Sequence, residues 1–87
     1  MRFSEEEITA TITKLIFGLT YKTISSEKEV LVDSGILSSI TIAELAVELE
    51  KSFFVSISFM EINKENFNTL SSIKNLIKSK VSIQQQK

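Results

Sequence analysis

Apolar residues recur at helical intervals in three stretches of the chain, and each stretch predicts a helix. In the first, Ile8, Ile12, Leu15, Ile16 and Leu19 fall on one face. They follow Ser4-Glu5-Glu6-Glu7, where Ser4 can cap the helix and Glu7 can return a hydrogen bond to the cap backbone. This places the first helix from about Ser4 to Leu19. In the second stretch Ile42, Leu45, Ala46, Leu49 and Phe53 form a buried stripe on a helix from about Ser39 to Ser52, with Glu44, Glu48 and Glu50 off it. Ile40 and Val47 also fall off that stripe, and apolar residues on the outer face of a short helix call for a partner. In the third, Thr69 is a good N-cap for Leu70, Ile73, Leu76 and Ile77, and Lys78 and Lys80 suit the C-terminal end.

Between these stretches the periodicity fails. From Thr20 to Ser38 the Ser25-Ser26 pair and Gly35 predict a long loop, pinned to the core by Val30, Leu31, Val32, Ile36 and Leu37. A loop of this length in a compact domain points to function, and Gly35 can take the positive φ of a sharp turn. Phe54 to Phe59 alternates like a strand but has nothing to pair with, so an extended linker with Val55 and Ile57 buried is expected. Asn63 to Asn66 reads as one short helical turn capped by Asn63, with Phe67 a core plug. The pattern therefore predicts an all-α fold, a small four-helix bundle of three longer helices and one short one. Residues 1–80 form its single domain and residues 81–87, with Gln84, Gln85 and Gln86 in a row, a frayed and flexible tail.

Composition narrows the chemistry. The chain has 87 residues, no Pro and two Gly, which suits one compact helical domain. It has no Cys and no His, which excludes disulfides, Cys/His zinc sites, Cys nucleophiles and Ser-His-Asp triads together. No catalytic residue, metal site or enzymatic activity is expected. The net charge of −1 is unevenly spread: residues 1–26 balance, residues 27–61 have seven acids against two lysines, and the remainder has one acid against five lysines. The acidic segment contains the second helix and steers basic partners. The basic end lacks the Arg and aromatic residues of a nucleic-acid surface, and an acidic second helix is wrong for a DNA-reading helix-turn-helix. MRFSEEE has no apolar run and is not a signal peptide, and no stretch approaches a membrane span, so a cytoplasmic monomer that neither binds nucleic acid nor inserts into a membrane is expected.

The remaining chemistry lies in Ser38 and Ser39, where loop becomes helix. The first turn of a helix has unpaired N–H groups and a partial positive charge that favour an anion. A Ser at such a place is most often only a cap, but a pair lets Ser38 cap while Ser39 projects. Neither has a base beside it, so any modification requires an enzyme that brings the base and metal.

The run Asp33-Ser34-Gly35-Ile36-Leu37-Ser38-Ser39-Ile40, followed by Leu45, Leu49 and Phe53, resembles the acyl carrier protein superfamily. Val55-Ser56-Ile57-Ser58, then Glu61 through Thr69 and Ile73, is similar to the corresponding segment of D-alanyl carrier proteins. The likeness covers roughly Val30 to Ile77. It implies a bundle of acyl-carrier-protein type and a 4'-phosphopantetheine arm, taken from coenzyme A and attached to Ser39, whose thiol holds an acyl or aminoacyl cargo as a thioester. The family has Asp directly before the modified Ser; Ser38 stands there in this chain and is the rival site. Implied partners are a phosphopantetheinyl transferase, an AMP-forming acyl or aminoacyl ligase and a downstream acyl or aminoacyl transferase, docking on Ile40, Glu44, Val47 and Glu48. The alternative is an unmodified helical-bundle adaptor that binds proteins through the same acidic helix.

Overall fold

A computed structural model describes residues 3–85, with side chains described over residues 3–81. Among these residues there are four α-helices, a 3-10 turn and no strand: α1 (Glu5–Thr20), α2 (Ser39–Phe53), the 3-10 turn (Phe59–Glu61), α3 (Lys64–Phe67) and α4 (Leu70–Gln85). The chain is a small helical bundle.

Each boundary has a local cause. Ser4 Oγ accepts the Glu7 N–H at 3.1 Å and Glu7 Oε1 accepts the Ser4 N–H at 2.9 Å, a reciprocal cap at the start of α1. Ser72 N–H donates to Thr69 Oγ1 at 3.0 Å at the start of α4, and Asn66 N–H donates to Asn63 Oδ1 at 2.9 Å at the start of α3. α1 and α2 both end on aromatic residues in the left-handed region, Tyr21 at φ 61° and Phe54 at φ 57°. Their N–H groups close on Phe17 O and Glu50 O.

The core is built from the predicted stripes. Ile8, Ile12 and Ile16 of α1, Ile42, Leu45, Ala46, Leu49 and Phe53 of α2, and Leu70, Ile73, Leu76 and Ile77 of α4 are buried together. Leu15 and Leu19 pack against them half-buried. The Phe3 and Phe53 rings meet edge to face at 5.0 Å, and Lys78 pairs with Glu5, so the residues that open α1 are tied to the end of α2 and to the middle of α4. Val55 to Ser58 forms neither helix nor strand, with Val55 and Ile57 buried, and Phe67 is fully buried. The Cα radius of gyration is 12.0 Å, close to the roughly 12 Å expected of a compact chain this long. The long loop is therefore folded against the bundle.

One boundary differs. The tail expected from residue 81 onward is helical as far as Gln85, and Val81 is core. Val81 lies four residues beyond Ile77 and eight beyond Ile73, so it continues the buried stripe of α4. The glutamine run obscured that continuation. Residues 86–87 of the expected tail lie outside the described residues. The 3-10 turn was also not anticipated; Ser58 N–H donates to Glu61 Oε1 at 2.9 Å there, and Lys80 of α4 holds the same carboxylate at 2.9 Å.

Candidate functional site at the start of α2

The candidate site begins with the loop that delivers the Ser pair. Leu31 and Leu37 are buried at its two ends, and Leu37 N–H donates to Leu31 O at 2.8 Å, closing the turn between them. Within that turn Gly35 has φ +87° and its N–H reaches Val32 O at 3.1 Å. A residue with a Cβ is strained in that conformation. Val30 is exposed, and Val32 and Ile36 are half-buried, so the loop is pinned chiefly by its two leucines.

A second element braces the same turn from below. Asn68, just after α3, accepts the N–H groups of Val32 and Asp33 on its Oδ1 at 2.9 and 3.2 Å, while its backbone O accepts Leu31 N–H at 2.6 Å. Its Nδ2 donates to Asp33 Oδ2 at 3.2 Å, and Lys64 pairs with Asp33 Oδ1 at 2.7 Å. The Lys64 hydrogen bond is the main cause holding the Asp33 carboxyl below its usual range; burial opposes it, and the Asn68 hydrogen bond adds a smaller pull in the same direction as Lys64. Further back, Lys74, a buried lysine of α4, binds Glu27 at 2.9 Å, and Ser71 N–H donates to Glu27 O at 3.1 Å.

The loop hands the chain to α2 at Ser38, which is the N-cap with φ −85° and ψ 172°. Its Oγ accepts Thr41 N–H at 3.2 Å and lies 2.9 Å from Thr41 Oγ1, and its carbonyl accepts Ile42 N–H at 2.8 Å. Ser39 is the first helical residue and is exposed. Among the described residues no hydrogen bond engages its hydroxyl. The pair is thus divided: Ser38 is committed to the cap and Ser39 points to solvent uncommitted. The N–H groups of Ser39 and Ile40 have no acceptor within the helix, and the first turn of α2 carries no acidic side chain. An anion joined to Ser39 would meet these donors and the positive end of the helix dipole without a carboxylate opposing it.

Down α2 from this point, Ile40, Glu44, Val47 and Glu48 fall within one arc of the helix. Ile40 is 74% exposed and Val47 48%, Glu44 is exposed, and Glu48 lies 3.9 Å from Lys51 at the surface. Glu50 serves the fold instead, its Oε2 accepting Ile57 N–H at 2.7 Å to fix the linker after α2. That role, and the clamp made by Asn68, were not anticipated from the sequence. Bonds between residues 35 or 36 positions apart leave no periodic trace, and only the presence of polar residues beside core positions hinted at them.

Among the described residues no group of three or more Asp or Glu side chains is placed to hold a metal ion, and no helix is long and apolar enough to cross a membrane. No protein-family model and no curated protein matches the chain.

Proposed function

We propose that the protein is an acyl or aminoacyl carrier whose Ser39 bears a 4'-phosphopantetheine arm. The single observation behind this reading is the division of labour in the Ser pair. Ser38 caps α2 and leaves Ser39 exposed and uncommitted at a helix start with free N–H groups and no carboxylate. The residues suit the group: a phosphodiester on Ser39 is an anion at the positive end of α2, and a flexible arm needs an exposed anchor on a rigid element. When attached, the arm supplies a thiol that this cysteine-free chain lacks. The chain's own residues anchor it, order the loop that presents it, and offer Ile40, Glu44, Val47 and Glu48 to enzymes. Ser39 has no base of its own, so a phosphopantetheinyl transferase must activate the hydroxyl. The protein is then a cytoplasmic, monomeric substrate of enzymes and not an enzyme. The segment from Val55 to Thr69 favours the D-alanyl type of cargo, loaded by an AMP-forming ligase and passed to a downstream transferase.

The test is the intact mass of the purified protein before and after incubation with coenzyme A, magnesium and its own cell's phosphopantetheinyl transferase. One phosphopantetheine increment, absent from Ser39→Ala, is expected. An increment lost in Ser38→Ala and kept in Ser39→Ala moves the site by one residue. No increment in the wild type overturns the carrier reading. It favours the second one, an unmodified adaptor using the acidic helix, for which the observation is Ser38 in the place where carriers have Asp.

A further inference from the structure

A groove of about 580 Å³ runs between the C-terminal half of α1 and the C-terminal half of α2, away from Ser39. Leu15, Phe17, Gly18 and Leu19 make its apolar side, with Lys14 on the α1 wall and Glu48 on the α2 wall. Phe17 is 46% exposed although it stacks edge to face on Tyr21 at 6.2 Å, so this aromatic pair is not spent on the core.

Gly18 is the informative residue. It is helical and outside the left-handed region, so its backbone does not require glycine. A Cβ there would meet nothing within 4 Å, so packing inside the chain does not require it either. Glycine inside a helix costs up to about 1 kcal/mol relative to Ala. What the missing side chain provides is an open floor to the groove.

We infer that this groove receives an apolar side chain of the enzyme that modifies Ser39, with Glu48 binding a Lys or Arg beside that anchor. The inference rests on the carrier reading and extends its docking face from α2 onto α1. Glu48 is the link, because it belongs both to the arc of Ile40, Glu44 and Val47 and to the groove wall. Glu48 is nine residues beyond Ser39, a rise of roughly 14 Å at about 1.5 Å per residue. A partner footprint of about 800 Å² is on the order of 30 Å across, so an enzyme seated over Ser39 reaches the groove. The walls also orient what enters. The acid on α2 and Lys14 on α1 accept a cation toward α2 and disfavour it toward α1.

The experiment is steady-state transfer of phosphopantetheine from coenzyme A to the full chain by its own cell's transferase, comparing wild type with Gly18→Leu and Phe17→Ala. Gly18→Leu fills the groove at a site with free space and improves helix propensity, so unfolding at or above the wild-type temperature is expected. Its KM for the carrier should rise about tenfold, equivalent to ~1.4 kcal/mol of lost docking, with kcat retained. Phe17→Ala should raise KM in the same direction, and it decides the matter if Gly18→Leu does not fold. Unchanged KM in a folded variant overturns the groove and leaves the carrier reading standing. Absence of transfer to the wild type removes the carrier reading itself, and the groove assignment with it.

Discussion

Ser38 and Ser39 are adjacent and chemically identical, yet the fold separates what they do, and substitution should reveal this in two different measurements. Ser38→Ala removes the acceptor for Thr41 N–H and should lower the unfolding free energy by about 1 kcal/mol, the usual cost of losing an N-cap. Ser39→Ala removes an exposed hydroxyl and should leave chemical denaturation within about 0.5 kcal/mol of wild type, while abolishing the phosphopantetheine mass increment. If Ser39→Ala destabilised the protein and Ser38→Ala did not, the capping assignment would be reversed. Gly35 can be probed by the same denaturation series. At φ +87° an added Cβ is strained although it would touch nothing within 4 Å, so Gly35→Ala should cost on the order of 1 kcal/mol through backbone conformation alone.

The helices and their buried stripes follow from spacing, because a 3.6-residue period is a property of one continuous segment and can be read from it. Ile42, Leu45, Ala46, Leu49 and Phe53 were legible in this sense, as were the caps at Ser4, Asn63 and Thr69. Gly35 was legible too, since glycine among loop residues signals positive φ. The brace beneath the loop was not. Asn68 is linked to Val32 and Asp33 across 36 and 35 residues, and long-range pairs of this kind depend on how elements dock, which local pattern does not encode. The C-terminal end of α4 was misread because a polar glutamine run outweighed the single apolar residue, Val81, that carries the stripe forward. At the level of elements, the clamp makes a specific claim: Asn68→Ala leaves the Val32 and Asp33 amides without their side-chain acceptor and should cost about 1–3 kcal/mol. Hydrogen exchange should accelerate at those two amides ahead of the amides of α1 and α4. Uniform acceleration across the bundle would show that the loop opens only with global unfolding.

At the scale of the whole molecule, charge joins parts that the helical stripes leave separate. The acidic middle and basic C-terminal stretches meet within the fold. Asp33 pairs with Lys64, Glu27 with Lys74 and Glu61 with Lys80, and Glu5 of the N-terminal segment joins them by pairing with Lys78. Glu44 is left facing solvent and Glu48 reaches no cation nearer than Lys51 at 3.9 Å, so the face of α2 below Ser39 keeps negative charge that no close cation offsets. The paired carboxyls of Glu5, Asp33 and Glu61 are held below their usual range chiefly by hydrogen bonds from Lys78, Lys64 and Lys80, and Glu29 chiefly by the Ser25 backbone N–H. Because each is lower in the folded chain than in the unfolded one, its contribution to stability is complete above the ordinary carboxylate range and disappears as pH falls through the depressed folded values. Stability should therefore be flat across neutral pH and decline through the acid range, and Asp33→Asn should make that decline shallower. Salt should weaken docking on α2 more than folding, since the folding pairs are close contacts and steering acts over about a Debye length of 8–10 Å. Loading of Glu44→Lys with Val47→Asp by the cognate ligase should be slow and nearly insensitive to salt, with an unfolding curve near that of the wild type. Loading at the wild-type rate would remove the acidic face from the docking surface.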